Sequence, residues 1–244
     1  MMLIDISFVI TSYNYEMFLE KCIYSCLDQS SSALNFEIII VDDGSTDNTS
    51  SILKKIHYEN VHIYFLKNQG VERASNFGFN KCSGKYVVRI DADDYLDKDF
   101  LKNIEPFLKI NNHFFYFNYK QVDINGALLK KVKLPPFNKD EIFCRGDFLA
   151  SGTIYPKTLI EKFGYYDVSY KNSGLENFDL ILKLIKNNIK GLHINKYSFY
   201  YRRHTKNLSN LRKNDIIKHG KQIMRKYGSQ YRTNEFHPYE LELI

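Results

Sequence analysis

An α/β protein built on a mainly parallel sheet, with helices on both faces, is predicted by three observations. Short apolar runs alternate with segments of helical periodicity before residue 97, a polar turn follows each run, and no low-complexity linker interrupts the 244 residues. The β-α-β-α-β-α-β order demands right-handed crossovers, and ligands of such sheets sit beyond the carboxyl ends of the strands.

Taken in order, Asp5 to Ile10 alternates into an apolar strand, and Asn14 is placed to cap a helix to about Asp28 with Phe18, Leu19, Cys22, Ile23, Cys26 and Leu27 as its stripe. Phe36 to Val41 is apolar everywhere but Glu37, the mark of a strand buried on both faces. Asp42-Asp43-Gly44-Ser45 forms a turn, and Asp47 caps a helix to about His57. Val61 to Leu66 is the third strand, Val71 to Cys82 the next helix, and Tyr86 to Asp91 the fourth strand. Beyond Asp97 the pattern changes to a helix through about Leu108, then to two strands, Phe114 to Ile124 and Ala127 to Leu134, around the hairpin signal Asn125-Gly126. A mixed segment from about Phe143 to His204 and a basic helical tail complete the chain.

Thr11-Ser12-Tyr13, Asp42-Asp43 and Asp91 to Asp94 all fall at carboxyl ends of predicted strands, so three sequence-distant polar clusters converge on one crevice. The last is the most informative. Asp91, Asp93 and Asp94 put three carboxylates within four residues. Like charges about 4 Å apart repel by roughly 4 kcal/mol at an effective dielectric near 20, so a cation is expected among them. Oxygen ligands suit Mg²⁺ or Mn²⁺ held together with substrate phosphates. The alternative is a solvated turn in which Asp94 or Asp97 caps the following helix.

Composition limits the function classes. The longest apolar stretch falls far short of the roughly 20 residues a bilayer requires, and the N-terminus shows no secretory pattern, so a cytoplasmic protein is expected. Cys22, Cys26, Cys82 and Cys144 show no metal-ligand spacing and read as reduced thiols. The net charge of +6 is uneven: ten Lys or Arg and one acid, Asp215, give +9 between Arg202 and Arg232, leaving −3 elsewhere. Local basicity argues against a general nucleic-acid coat and for an anionic surface or ligand met by the tail.

Thr11-Ser12-Tyr13-Asn14, Val41 to Asp47, the Gly70 to Gly84 helix and Asp91-Ala92-Asp93-Asp94, in this order and spacing, resemble a family-2 glycosyltransferase with a GT-A fold over roughly Ile6 to His204. The resemblance implies transfer of a sugar from a UDP- or GDP-linked donor, with inversion, by a Mn²⁺- or Mg²⁺-dependent enzyme. It divides the chain into a nucleotide-sugar half (1–110), an acceptor-binding and catalytic half (111–204) and a basic tail (205–244). It implies that Thr11, Tyr13 and Asp43 meet the base, that Arg73 reaches base or phosphates, and that Asp91 lies near ribose and metal. Asp93, with Asp94 and His204, would hold the metal, and Arg203 would clamp the diphosphate.

The family's general base belongs to an acidic pair, and here that run is Glu176-Asn177-Phe178-Asp179. Asn177 occupies the usual Asp position, and an amide cannot take a proton. Glu176 is one substitute, although Ser173-Gly174-Leu175-Glu176 equally spells a capping box. Asp179 is the reserve, with an i+4 pairing to Lys183 as its structural alternative. A catalytically weak nucleotide-sugar binder is therefore a rival reading. A nucleotidyltransferase is a further one, disfavoured because the segment from Ile10 has no Gly before Gly44. A glycan or lipid-linked acceptor of surface polysaccharide assembly, with the amphipathic tail touching an anionic membrane, completes the expectation.

Overall fold

The computed structural model describes residues 3–30, 32–110, 112–146, 149, 152–227, 232–235 and 237. The strands are β1 (Ile6–Ser12), β2 (Phe36–Asp42), β3 (Val61–Phe65), β4 (Tyr86–Asp91), β5 (Tyr95–Leu96), β6 (His113–Val122), β7 (Leu128–Val132), β8 (Ile154–Pro156) and β9 (Lys190–Arg202). The helices are α1 (Leu19–Leu27), α2 (Thr49–Leu53), α3 (Val71–Lys81), α4 (Phe100–Ile104), α5 (Lys139–Arg145), α6 (Lys157–Phe163), α7 (Glu176–Lys186), α8 (Leu208–Leu211) and α9 (Lys213–Tyr227).

All but β7 run in the order β3-β2-β1-β4-β8-β6-β9-β5 through one sheet, with β7 paired to β6. β1, β2, β3 and β4 are mutually parallel, as the crossover order requires, and β6 runs parallel to β9. β8 joins the two parallel groups by antiparallel pairing to β4 and β6. β1 is central in the first group, with β2 on one side and β4 on the other, so the strand order reverses at its carboxyl end. The register sets Thr11 opposite Asp91 and Ser12 opposite Asp42, which brings the three predicted clusters to one edge.

Alternation along the buried strands divides the core. Val9, Ile39, Val41 and Val87 face α3, α6, α7 and α9, whereas Phe8, Ile10, Ile38, Ile40, Val88 and Ile90 face α1 and α4. Each face thus buries one apolar set. At the opposite edge the buried Glu37 accepts hydrogen bonds from the Ser7 hydroxyl and the Ser83 N–H, tying β1, β2 and the end of α3 together. Burial opposes its charge, but those donors prevail and hold its carboxyl below the usual range.

Several elements differ from the sequence reading. α1 starts at Leu19, because Asn14 adopts φ +59° and spends its side-chain carbonyl on the Thr46 N–H instead of capping. α2 ends at Leu53, short of His57, although Asp47 does accept from the Thr49 N–H. The predicted helix through Leu108 is α4 followed by a single 3₁₀ turn, Glu105–Phe107, where Pro106 lies. Of the tail, α8 and α9 are described, whereas most of 228–244 lies outside the described residues.

Candidate active site

The carboxyl edge of the sheet opens into a cavity of about 730 Å³. β1 delivers Thr11, the turn after β2 carries Asp43, β4 delivers Asp91, and the turn after β4 carries Asp93; all line it together with Tyr13. From the other side come Glu176 and Asn177 at the start of α7, and His204 just after β9. Eight residues singled out from the sequence therefore share one cavity.

Asp43 accepts hydrogen bonds from the Gln69 N–H at 2.9 Å and the Gly70 N–H at 2.8 Å, so its carboxylate sits against the start of α3. Burial nevertheless pushes its carboxyl upward, against those two donors and Lys171. Gly44 makes the adjoining turn at φ +76°, where a Cβ would stand 2.9 Å from the Asn68 nitrogen. α3 is docked in turn by Glu72, which accepts from the Asn172 and Ser173 N–H groups at 2.8 and 2.5 Å. The loop leading into α7 is thereby pinned to α3.

At the acidic turn the three carboxylates separate. Asp93 Oδ2 lies 3.0 Å from His204 Nε2 and 3.2 Å from Asn207 Nδ2. His204 stacks on Phe18 with centroids 4.9 Å apart, which fixes its ring plane. Asp91 pairs with Arg89. Asp94 points away from the cavity and accepts the Arg202 N–H at 2.9 Å, closing the junction between this turn and β9. Arg202 continues that junction through Nε to the Asp93 carbonyl and Nη1 to the Ile124 carbonyl.

Arg89 lines the cavity and donates from Nη1 to Glu176 Oε1 at 2.9 Å. Both side chains are under a tenth exposed. Burial pushes the Glu176 carboxyl up and Arg89 pulls it down; the net direction is upward. The predicted capping box does not form. Ser173 Oγ accepts from the Leu175 N–H and donates to Glu176 Oε2 at 3.4 Å, Glu72 takes the Ser173 N–H, and Glu176 Oε1 accepts from Arg89. Asn177 Oδ1 accepts from the Tyr155 hydroxyl at 2.7 Å and from the Tyr166 hydroxyl at 3.3 Å.

Four predicted site residues stand outside the cavity lining. Arg73 is on the solvent face of α3, where Val71 and Ala74 face the site. Arg203 is exposed beside its buried neighbour Arg202, and the cation of that segment lining the cavity is Lys206. Asp94 serves the backbone as described. Asp179 faces α9 and pairs with Lys226 at 3.4 Å, not with Lys183, which donates to the Gly164 and Tyr165 carbonyls.

Arg89 was missed by residue-type reasoning, yet it carried a signal: a cation inside an apolar strand, two residues before Asp91 and so on the same face. Asn207, which touches both Asp93 and His204, had none. Among the described residues, no group of three or more His, Cys, Asp or Glu is arranged to hold a metal unaided. One carboxylate and one imidazole beside an open cavity nevertheless suit a divalent ion that draws its other ligands from water and a diphosphate.

Residues 7–167 match the family model described as Glycosyl transferase family 2. The chain belongs to that family. The glycosyltransferase is 28% identical to a chondroitin synthase of Pasteurella multocida over 246 aligned residues, covering 95% of this chain and 24% of the synthase. It is 26% identical to a UDP-Glc:alpha-D-GlcNAc-diphosphoundecaprenol beta-1,3-glucosyltransferase, WfaP, of Escherichia coli, covering 87% of this chain and 83% of WfaP. It spans about a quarter of the chondroitin synthase and 52% of an uncharacterized glycosyltransferase of Haemophilus influenzae to which it is 36% identical. The structure of residues 1–349 of TarS of S. aureus in complex with UDP-GlcNAc superposes with a TM-score of 0.69 at 22% identity, covering 96% of this chain and 75% of that one. That likeness establishes the GT-A fold. No helix among the described residues is long and apolar enough to cross a membrane.

Proposed function

We propose that this glycosyltransferase moves a single sugar from a UDP- or GDP-linked donor to a glycan or lipid-linked acceptor of surface polysaccharide assembly, with inversion. The observation that carries the reading is one cavity lined by Asp43, the Asp93–His204 pair and the Arg89–Glu176 pair. The named substrates of WfaP and the UDP-GlcNAc bound in TarS support donor and acceptor classes of this kind.

In this reading Asp43 receives the imino N–H of the base and Tyr13 offers its ring face to it. Asp93 and His204 would hold Mn²⁺ or Mg²⁺, which when bound supplies positive charge to offset that of the departing diphosphate. Glu176 takes the proton of the acceptor hydroxyl as its oxygen bonds to the anomeric carbon. The bond from that carbon to the diphosphate oxygen breaks on the opposite face, its electron pair leaving with the diphosphate. Inversion follows from the single displacement.

One observation favours a second reading, a nucleotide-sugar binder with weak transfer: Asn177 is neutral and Glu176 is held by Arg89. The test of function is nucleoside diphosphate release from a panel of UDP- and GDP-sugars with Mn²⁺, with and without a lipid-diphosphate sugar acceptor. Release from one donor, increased by acceptor, is expected. Silence across the panel contradicts transfer.

A further inference from the structure

The two most exposed large apolar side chains among the described residues, Met17 and Leu211, line the same cavity as Tyr13. Tyr13 is 45% exposed, Met17 70% and Leu211 68%. A side chain that both lines a cavity and faces solvent stands at its mouth. Tyr13 and Met17 come from the loop between β1 and α1, and Leu211 ends α8, so the apolar groups stand on two separate segments that meet at His204, where Phe18 stacks.

Cations accompany them on the C-terminal side. Lys206 lines the mouth and is exposed, and Arg203 and Lys213 are exposed nearby in the chain. Of the acids of the region, Glu16 and Asp47 keep their charge but are turned to backbone donors, and Asp215 has a cationic partner. Glu16 accepts the Asn48 N–H, Asp47 accepts the Glu16 and Thr49 N–H groups, and Asp215 is paired with Arg212.

We propose that the rim formed by Met17 and Leu211 with Lys206 and Lys213 is a docking surface for an anionic lipid bilayer, into which the apolar side chains insert while the cations meet headgroups. The aliphatic side chains decide between occupants. Met17 and Leu211 cannot hydrogen-bond a glycan, which would call for aromatic faces and polar partners, but they suit acyl chains. Docking here sets the cavity mouth against the leaflet, where a lipid-linked acceptor resides. The inference thus deepens the acceptor class of the proposed function, and its test measures binding, which is independent of transfer.

Flotation of the 244-residue chain is measured with phosphatidylcholine vesicles and with vesicles containing about 30 mol% phosphatidylglycerol, a composition whose charge gives each nearby Lys about a fivefold effect. Binding is expected to the anionic vesicles alone and to weaken as salt rises. Replacing Lys206 and Lys213 together by Ala is expected to weaken it roughly 25-fold. Met17→Ser with Leu211→Ser is expected to weaken it tenfold or more, since roughly one large apolar side chain's transfer free energy per site is forfeited. The control is Leu128→Ser with Leu129→Ser, two side chains of β7 that are 55% and 57% exposed but outside the cavity lining. That pair should leave binding unchanged. Each variant alters exposed side chains, and its melting temperature checks the fold. Absence of binding, equal binding to both vesicles, or loss through the β7 pair in place of the rim pair overturns the proposal. Donor turnover measured without vesicles stands or falls separately.

Discussion

Glu176→Gln is expected to slow sugar transfer 10²- to 10⁴-fold, about 3 to 5 kcal/mol of barrier, while leaving donor binding within a factor of about two. The amide keeps the size of the carboxylate, and its oxygen can still accept from Arg89 Nη1, so that contact survives. What disappears is the capacity to take a proton. Asn177 cannot replace it, because an amide at its position has no basic site and its Oδ1 already accepts from Tyr155 and Tyr166. Asp179 cannot either, being turned to Lys226. Single-turnover transfer in wild type and variant, with calorimetric donor titration beside it, separates the effects. Equal rates in the two proteins, both near background, would favour the weak binder.

Arg89→Met is expected to cost about 3 to 5 kcal/mol, because it leaves Glu176 buried without its cation and removes the partner of Asp91. For a chain of this length that corresponds to a fall in melting temperature of roughly 6 to 20 °C. The loss is expected to depend on pH. Glu176 already lies above its ordinary 4.5 in the folded protein, because burial outweighs Arg89. A carboxyl raised by folding binds more protons in the native than in the unfolded state, so stability falls as pH rises from the unfolded to the folded value. Without Arg89 the folded value climbs further and the window widens upward. The variant should therefore lose more against wild type at pH 8 than at pH 5. Melting curves at the two pH values check this, and a deficit independent of pH would show that Glu176 is not the group left unpaired.

Much of the fold was legible because it is locally written. The apolar runs of β1, β2 and β4 end in polar residues, and a parallel crossover order leaves one edge for those residues to meet. Asn125-Gly126 marked the β6–β7 hairpin for the same reason. The pairing of β6 with β9 was not legible, since strands about 75 residues apart carry no local record of their register. The site divides along this line too. Ser173 and Glu176 spell a capping box, but Glu72 takes the Ser173 N–H from 101 residues away and Arg89 takes Glu176 from 87. Asp179 has Lys183 at helical spacing, yet Lys183 serves two backbone carbonyls and Lys226 of α9 arrives instead. Asp94 shares its composition with Asp93; what distinguishes them is the Arg202 N–H at the end of β9. Long-range partners decided each role, and spacing alone does not contain them.

In the proposed reaction Asp93 and His204 bring a divalent ion to the diphosphate of a nucleotide-sugar in this cavity. Calorimetric titration of UDP- and GDP-sugars into wild type and Asp93→Ala, each in Mn²⁺ and in EDTA, tests it most directly. One donor is expected to bind wild type at least tenfold more tightly in Mn²⁺, and that gain is expected to vanish in Asp93→Ala. Identical metal dependence in the two proteins, or no donor bound by wild type in Mn²⁺, would contradict it.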